Sequence, residues 1–414
     1  ARADPPGAPH ANPQEFLRSL MRDVQAHPLI RVHLQTEVLE TQGVVGRFTS
    51  ILQTREGEQL QVHHGVTILA TGGVEYRGPE YLYGQHPRVI SQQEFETLLA
   101  AVEGIAETDR AHRAELPDHV MMILCVGPAE EYCSRICCNT ALKNALVLKR
   151  LKPGAEVTIL YRDIRACGFK EKLYTRARQA GVRFIHYDFD RKPEVMGEGD
   201  RLRVAVWEVA LGQSLQFTPD LLVLGNPVVP AEGVRALSKR LKVPLDGNGF
   251  FMEAHVKLRP VEFSSDGFFM AGTASYPKSL DETIVEALAA SARAATVLAQ
   301  DSIQVGGSVA VVDASRCVAC LTCVRTCPYH APRIVPDLIG VGGIRGAAQI
   351  EAAACHGCGS CVVACPARAI QLAHYTDSQM QAKVDALFGS VVSGARITTL
   401  QGDTIYSGER GTIG

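Results

Sequence analysis

Two short cysteine runs in the carboxyl-terminal part of the chain constrain its fold most strongly. Both have the spacing C-x2-C-x2-C-x3-C, and both are followed by proline. In this spacing three thiolates hold one [4Fe–4S] cluster, and the fourth reaches across to the other cluster. The predicted ligand sets are Cys317, Cys320, Cys323 and Cys365 for one cluster, and Cys355, Cys358, Cys361 and Cys327 for the other.

The alternative for these runs is a pair of zinc sites, because C-x2-C is also the spacing of zinc knuckles. Zinc knuckles usually use two cysteines each, which would leave the other thiols of each run without a metal. Gly357 and Gly359 would let backbone N–H groups approach the sulfurs of the second run. The segment resembles a bacterial-type two-cluster ferredoxin. We therefore expect an α+β domain over residues 305–390, with a tail over 391–414.

The overall composition excludes several classes of protein. The chain has 414 residues, enough for two or three domains, and a formal net charge of −2, which argues against nucleic-acid binding and against a polybasic membrane anchor. Twelve of its 13 cysteines fall into three tight groups, unlike the spread of a disulfide scaffold. No apolar run reaches the roughly 18 residues of a membrane span, and no signal peptide is evident. We expect a cytoplasmic protein without a membrane span.

Upstream of the cysteine runs, short β-type segments alternate with helical ones, as in α/β domains. Residues 30–34, 46–52 and 59–62 are predicted to form a β-meander. A buried strand follows and ends in the small residues Ala70, Thr71, Gly72 and Gly73. This short motif is weak by itself and depends on a second segment about two hundred residues later.

That second segment is an apolar strand that ends at Gly272 and Thr273 and leads into an alanine-rich helix. Ser279 and Glu282 form a capping-box pattern at the start of the helix. Free backbone N–H groups and the positive end of the helix dipole would then face a crevice, where an anionic reduced flavin would be stabilised. The alternative is that both segments are ordinary strand-to-helix turns, which every doubly wound fold contains.

Taken in order, the two segments resemble the second and third FAD motifs of flavoproteins with two dinucleotide-binding domains, in particular the thioredoxin-reductase-like members. The resemblance implies a partial FAD domain over residues 1–117, an inserted second dinucleotide-type domain over 118–250 and a return to the FAD domain over 251–304. It also implies flavin contacts from Ala70, Thr71, Gly72, Gly73, Gly272, Thr273, Pro277, Lys278, Glu282 and Thr283. A lysine beside the flavin could tune its potential, although a solvated surface lysine is more common.

The first motif of that family, G-x-G-x-x-G, is absent. We therefore expect an N-terminally incomplete core whose pyrophosphate loop lies upstream of Ala1, lies on another subunit, or has been lost. The nearest match, residues 340–346, has the wrong spacing and lies between the two cysteine runs, where we expect a flexible loop.

A third group of cysteines lies between a predicted strand at residues 119–124 and a predicted helix at 140–152, and consists of Cys125, Cys133, Cys137 and Cys138. In a nicotinamide-binding domain this loop would be glycine-rich. One interpretation is a redox-active vicinal disulfide, and another is a set of plain buried cysteines. The third is another [4Fe–4S] cluster, bound at a helix N-terminus whose dipole stabilises negative charge.

The order of EYLYGQHPRVISQQEFE at residues 80–96, the cysteine loop at 125–138, AGTASYPKSLDET at 271–283 and the twin cysteine runs resembles the A-subunit family of heterodisulfide reductase. That family has C-x10-C-x3-C-C in the loop. Here the first gap is seven residues, so Cys125 departs from the pattern while Cys133, Cys137 and Cys138 match it.

The resemblance implies an FAD-containing iron–sulfur subunit with three [4Fe–4S] clusters. It would be active within a complex, and in some complexes it performs flavin-based electron bifurcation. The implied partners are other subunits of a heterodisulfide-reductase-like or related redox complex, with ferredoxin or a hydrogenase or dehydrogenase module as further candidates. Two other hypotheses remain: a flavin-free iron–sulfur relay or scaffold subunit, and an NAD(P)H oxidoreductase resembling the small subunit of glutamate synthase.

Overall fold

The computed structural model describes residues 13–103, 116–304, 306–392, 397–398 and 404–406. It divides into two units, of which the smaller comprises residues 1–43 and 47–64. This unit contains helix α1 (Pro13–Ala26) and the meander, with strands in the order β1 (Thr36–Val44), β2 (Arg47–Thr54) and β3 (Gln59–His64).

The meander is present, but the prediction that its first strand lies at residues 30–34 is wrong. The strand begins at Thr36, after Gln35, whose backbone is left-handed with φ of 50°. Ile30, Val32 and Leu34 alternate as in a strand, but they are 45, 53 and 80% exposed. Alternation therefore suggested a strand, but in the described part of the chain these apolar side chains stay exposed.

The larger unit comprises residues 44–46 and 65–414 and is built around a five-stranded sheet. Its strands, in spatial order, are β6 (Val89–Ser91), β13 (Leu221–Gly225), β7 (His119–Leu124), β8 (Glu156–Tyr161) and β9 (Arg183–His186). All four neighbouring pairs are parallel. Parallel strands need crossover segments, and helices α2 (Gln92–Glu103), α3 (Cys137–Leu151) and α4 (Glu171–Gln179) lie between them in sequence.

Strand β7 shows how this sheet is buried on both faces. Met122 packs in a cluster that includes Leu142 of α3, whereas Ile123 packs in a second cluster with Val204. Val204 belongs to a three-stranded antiparallel sheet formed by β10 (Glu194–Glu198), β11 (Arg201–Glu208) and β12 (Gln213–Phe217). This layering confirms the α/β dinucleotide-type domain.

The segments with the two flavin-type motifs form a smaller part of the same unit. Strand β4 (Thr67–Leu69) pairs in parallel with β15 (Phe268–Met270), and β5 (Gly73–Glu75) pairs antiparallel with β14 (Val228–Pro230). Helix α5 (Val234–Leu241) follows β14, and α6 (Leu280–Leu298) follows β15. The predicted capping box between Ser279 and Glu282 is present at the start of α6.

The carboxyl-terminal domain is an α+β fold with an internal repeat, because every cysteine of the second run follows its counterpart by 38 positions. Its elements are β16 (Ala310–Val312), α7 (Thr322–Thr326), β17 (Pro332–Ile339), β18 (Arg345–Ile350), α8 (Ser360–Ala364), β19 (Ile370–Leu372) and α9 (Asp377–Val392). Strands β20 (Ile397–Thr398) and β21 (Thr404–Tyr406) follow in the tail.

The prediction of a flexible loop at residues 340–346 is wrong. It is the turn of a hairpin between β17 and β18. Gly340 N–H donates to the carbonyl of Ile344, and Val341 N–H donates to the carbonyl of Cys317, at 2.7 and 2.9 Å. Glycines that suggested a loop instead allow a tight turn against the first cysteine run.

Within the parts of the chain that the structure describes, every helix is too short or too polar to cross a membrane.

Candidate functional site

The first cavity of the carboxyl-terminal domain is lined by four cysteines from both runs, namely Cys317, Cys320, Cys323 and Cys365. Its cavity volume is about 20 Å³, and Ile334, Ala348 and Ile370 are among its apolar lining. The second cavity has a volume of about 10 Å³ and is lined by Cys327, Cys355, Cys358 and Cys361. The structure therefore divides the eight cysteines into the two sets predicted from their spacing, each completed by a cysteine of the other run.

Equivalent backbone N–H groups approach the sulfurs of the two cavities. Ala348 N–H donates to Sγ of Cys317, and Ala310 N–H donates to Sγ of Cys355, both at 3.4 Å. Ala310 and Ala348 are themselves 38 positions apart. Such donors stabilise negative charge on sulfur, which is what a thiolate bound to iron carries.

The one exposed cysteine of each cavity also has an equivalent hydroxyl neighbour. Sγ of Cys320 lies 3.3 Å from Oγ1 of Thr322, and Sγ of Cys358 lies 3.5 Å from Oγ of Ser360. Hydrogen bonding from these neighbours lowers the pKa of both thiols. The sulfurs that face solvent are thus the ones whose deprotonated form is favoured.

The arrangement favours a cluster over zinc. Zinc knuckles usually take two cysteines each. Each set here takes three cysteines from one run and one from the other, which is the ligand pattern of two four-iron clusters.

The third cysteine group lies at the carboxyl end of β7. Cys125 follows the strand directly, with left-handed φ of 61°, and Cys137 and Cys138 are the first residues of α3. Cys125, Cys137 and Cys138 are buried, and Cys133 is partly exposed. Helix α3 begins at Cys137 rather than at the predicted residue 140, which places both vicinal thiols in its first turn, where the helix dipole favours negative charge.

The four thiols of this loop interact electrostatically as one group. Burial, followed by the charges of Cys138 and Cys133, raises the pKa of Cys125 to about 11. The hydrogen bond between the vicinal thiols raises the pKa of Cys137 and lowers that of Cys138 to about 7. All thirteen cysteines are free of disulfides, so the structure gives no support to a vicinal disulfide.

Cationic residues surround the loop. Charges of Arg162 and Arg165 favour the deprotonated forms of Cys125 and Cys138, respectively. The N–H of Arg135 donates to Sγ of Cys133 at 3.3 Å. Four clustered thiols beside arginines and a helix N-terminus are a donor set that fits an anionic iron–sulfur cluster.

The two flavin-type motifs meet at the carboxyl ends of β4 and β15. Ala271 N–H donates to the carbonyl of Leu69 at 3.0 Å, which continues the parallel pairing to the end of both strands. A Cβ placed on Gly73 would lie 2.6 Å from Cγ1 of Val228, so the backbone there requires glycine. Gly72 and Gly272 both have φ of 73°, a left-handed conformation.

The predicted flavin residues differ in their exposure to solvent. Ala70 and Thr71 are exposed, and Gly72, Gly73, Thr273 and Thr283 are partly buried. Gly272, Pro277 and Lys278 are buried, while Glu282 is exposed in the capping box. The exposed pair after β4 and the buried residues after β15 thus lie at the same carboxyl edge of two parallel strands, and we call this edge the crevice.

Sequence reasoning missed Glu286, which organises this floor. Its carboxylate accepts the N–H of Gly272 at 2.6 Å and the ammonium group of Lys278 at 2.6 Å. Lys278 also donates to Oγ of Ser275 at 2.7 Å. We expected the N–H of Gly272 to be free, and this prediction is wrong because Glu286 accepts it. Lys278 is buried and is not a solvated surface lysine.

The cysteine loop and the crevice are in direct contact. The Tyr276 hydroxyl donates to the carbonyl of Cys133 at 2.7 Å, and the Arg135 guanidinium lies 3.5 Å from the Glu282 carboxylate. The same guanidinium lies 5.2 Å from the centre of the Tyr276 ring. A cofactor held by the loop would thus be next to a ligand held in the crevice.

The second cysteine cavity lies beside the segment that leads into β15. His356 lies 3.4 Å from Asp266, which precedes β15, and its ring stacks on Tyr329 with 3.9 Å between ring centres. A larger cavity of about 550 Å³ is lined by Cys355 and His356 together with Phe268 and Arg293. The second cavity is thus the one that borders the segment with β15 and α6.

Residues 309–366 match a family model described as a 4Fe-4S dicluster domain. Together with the α/β domain, this match defines an iron–sulfur protein in which a dicluster ferredoxin domain follows a dinucleotide-type core.

Curated relatives extend the similarity beyond the ferredoxin domain. The chain is 35% identical over 297 residues to the A subunit of the H(2):CoB-CoM heterodisulfide,ferredoxin reductase of Methanothermobacter marburgensis, which covers 68% of this chain and 44% of that protein. It is 36% identical over 355 residues to the iron-sulfur A subunit of the CoB--CoM heterodisulfide reductase of Methanocaldococcus jannaschii, which covers 82% of this chain and 52% of that protein. The chain is thus a homologue of the A subunit of heterodisulfide reductase, as its motifs indicated, and it spans about half the length of these relatives.

Among solved structures, the thioredoxin reductase of T. acidophilum aligns with a TM-score of 0.43 and 16% identity, over 70% of this chain and 81% of that one. A likeness at this level carries no functional argument, and the α/β assignment rests on the strand order described above.

Proposed function

We propose that the chain is an electron-transfer iron–sulfur flavoprotein subunit of a heterodisulfide-reductase-like complex, an oxidoreductase that is active together with its partners. The observation that carries the proposal is the contact between the cysteine loop and the crevice, through Tyr276 and Cys133 at 2.7 Å. Electron transfer between two cofactors requires them to be close together, and the hydrogen bond between the cysteine loop and the turn after β15 supports such an arrangement.

In this proposal the twelve grouped cysteines hold three [4Fe–4S] clusters, two in the ferredoxin domain and one in the loop. Each cluster supplies one-electron transfer. The chain's own contribution is to exclude water and to place hydrogen-bond donors on the sulfurs, such as the N–H groups of Ala310, Ala348 and Arg135. These donors set how readily each site accepts negative charge.

FAD would occupy the crevice at the carboxyl ends of β4 and β15, against the residues from Ala70 to Gly73 and from Gly272 to Thr283. A flavin bound there would supply the exchange between two-electron and one-electron chemistry. A side chain at Gly73 would meet Val228 of the paired strand β14, so glycine allows this close strand pairing beside the crevice. The N-terminus of α6 would add its dipole at the same edge. The pyrophosphate cradle would come from a G-x-G-x-x-G segment that these 414 residues do not contain.

The proposed route runs through the two ferredoxin cavities in a defined order. The second cavity borders the core through His356 and Asp266, so it would exchange electrons with the core. Since the second cavity is the one next to the core, the first cavity would then be the contact for a redox partner such as a further subunit of the complex or a ferredoxin. Flavin-based bifurcation would use the loop site and the ferredoxin pair as separate routes.

One observation favours a second candidate, a flavin-free relay subunit. Glu286 occupies both Gly272 N–H and the Lys278 ammonium, so these groups are already satisfied within the protein. In that case the crevice would be structural, and the chain would only hold and align clusters between its partners.

The test is the cofactor content of the anaerobically purified chain. About twelve irons and acid-labile sulfides with one FAD per polypeptide would support the flavoprotein proposal, because three four-iron clusters require that number. About twelve irons without FAD, also when the chain is assembled with the segment or subunit that carries the G-x-G-x-x-G cradle, would support the relay. About eight irons would contradict the loop cluster.

Two cysteine variants sharpen this measurement. Cys137→Ser is expected to lose about four irons, because one of the four loop thiolates is removed. Cys167→Ser is the matched control, because Cys167 is exposed and lies outside the three groups. Loss of iron from the Cys167 variant, or full iron in the Cys137 variant, would contradict the assignment.

A further inference from the structure

Glu286 lies at the base of the crevice, although it belongs to neither flavin-type motif. It is on the second turn of α6, seven positions after the capping residue Ser279. Its side chain is 18% exposed and that of Lys278 is 8% exposed. The two oxygens of Glu286 each lie 2.6 Å from the Lys278 ammonium, and one of them also accepts the Gly272 N–H.

We propose that Glu286 is a positioning residue that holds Lys278 in place and cancels its charge at the floor of the crevice, so that it sets the reduction potential of the bound flavin. The inference rests on the proposed function, because it assumes that FAD occupies this crevice. Lys278 has three donors, and the contacts to Glu286 and Ser275 fix its ammonium group on one side of the turn that follows β15.

The argument depends on charge balance in a poorly solvated place. A buried lysine with a buried carboxylate partner is close to neutral as a pair, whereas either group alone leaves an uncompensated charge. Reduction adds negative charge to a flavin, and the flavin potential responds to charges near its ring nitrogens. An unbalanced positive charge at the crevice floor would therefore raise the potential, and an unbalanced negative charge would lower it.

A purely structural role for Glu286 predicts something different. Glu286 could serve only to tie α6 to the end of β15 through the Gly272 N–H. Removing that tie would loosen the crevice whichever partner is changed. Charge balance, in contrast, predicts opposite shifts for the two partners and cancellation when both are changed.

The experiment is a reductive titration of the FAD-loaded full chain, purified anaerobically with its clusters. Glu286→Gln keeps the shape and the acceptor for Gly272 N–H, and we expect its flavin potential to rise. Lys278→Met should lower the potential, and the double variant should return close to the wild-type value. Glu286→Asp retains the charge and should lie between the wild type and Glu286→Gln. Lys152→Met, which removes a 2.7 Å ion pair with Asp118 elsewhere, should leave the potential unchanged.

Iron content equal to that of the wild type shows that each variant is folded. Where the wild type binds FAD, two results would overturn this inference and leave the proposed function intact. In one, the flavin potential is the same in both single variants as in the wild type; in the other, it shifts in the same direction in both. A wild type that binds no FAD in its assembled complex would overturn the proposed function and this inference with it.

Discussion

Thr322 and Cys320 lie in contact at the outer face of the first cysteine cavity, with 3.3 Å between Oγ1 and Sγ. Ser360 and Cys358 repeat this contact at 3.5 Å in the second cavity. A hydroxyl donor stabilises a negatively charged cluster, so each hydroxyl should raise the potential of its own cluster.

Thr322→Val should therefore lower the potential of the first cluster only. One hydrogen bond is worth about 1 kcal/mol, which corresponds to about 40 mV for a one-electron couple. Potentiometric titration followed by electron paramagnetic resonance would measure both clusters. Ser360→Ala is the matched variant and should shift the second cluster instead; equal shifts of both clusters in either variant would contradict the assignment.

Gly357 and Gly359 are both left-handed, but their surroundings differ. A Cβ on Gly357 would lie 2.1 Å from the carbonyl oxygen of Ser308, whereas a Cβ on Gly359 would have no atom within 4 Å. Gly357→Ala should displace the backbone beside Cys355 and Cys358, and so reduce the iron content by about four. Gly359→Ala should keep its iron and cost only about 1–2 kcal/mol of backbone strain. Iron analysis distinguishes the two, and a Gly357 variant with full iron would show that this backbone can shift without loss of the site.

The Tyr276 hydroxyl anchors the cysteine loop through the carbonyl of Cys133. Tyr276→Phe should remove about 1 kcal/mol of the free energy that holds the loop in place. The proposed loop cluster would then be lost roughly fivefold more readily on exposure to air. The rate of absorbance bleaching measures this loss, and the ferredoxin clusters should bleach at the wild-type rate. Tyr375→Phe, at a tyrosine that is 50% exposed, is the control. An unchanged bleaching rate in the Tyr276 variant would show that the contact does not support the loop.

Glu75 gives the fold a pH dependence. Burial raises its pKa above the ordinary value of 4.5, even though the Ser91 hydroxyl and the Gln93 N–H oppose the rise. Because the folded state prefers the protonated carboxyl, ionisation of Glu75 lowers the free energy of unfolding at a pH above its raised pKa. This destabilisation disappears as the pH falls below the ordinary pKa. Glu75→Gln should therefore raise the melting temperature at about pH 7.5 and have a smaller effect at about pH 5. Glu96→Gln, at an exposed ion pair with Lys143, is the control and should show no such gain.

The division of the ferredoxin cysteines was predictable because ligand spacing alone specifies which thiols share a cluster. The capping box of α6 and the strand at residues 119–124 were predictable for a similar reason, since each depends on neighbouring residues. The cysteines of the loop were recognisable as a group, but only the folded chain shows Cys133 against Tyr276.

Features that depend on distant packing were not predictable. Glu286 lies eight positions after Lys278, and the sequence does not show that the intervening turn brings them together. Residues 30–34 alternate like a strand, yet in the described part of the chain their apolar side chains stay exposed. The glycines at 340–346 suggested a loop, and only their contact with the carbonyl of Cys317 shows why the turn is ordered.

The exchange of one cysteine between the two ferredoxin cavities also matters during synthesis of the protein. A ribosome releases Cys317, Cys320 and Cys323 well before Cys365, which completes the wall of the first cavity. The second cavity takes its earliest cysteine, Cys327, from the first run, and its set is complete once Cys361 has been synthesised. The first cavity therefore remains open on the nascent chain until translation has passed residue 365, so both sets of thiols become complete within the same short interval.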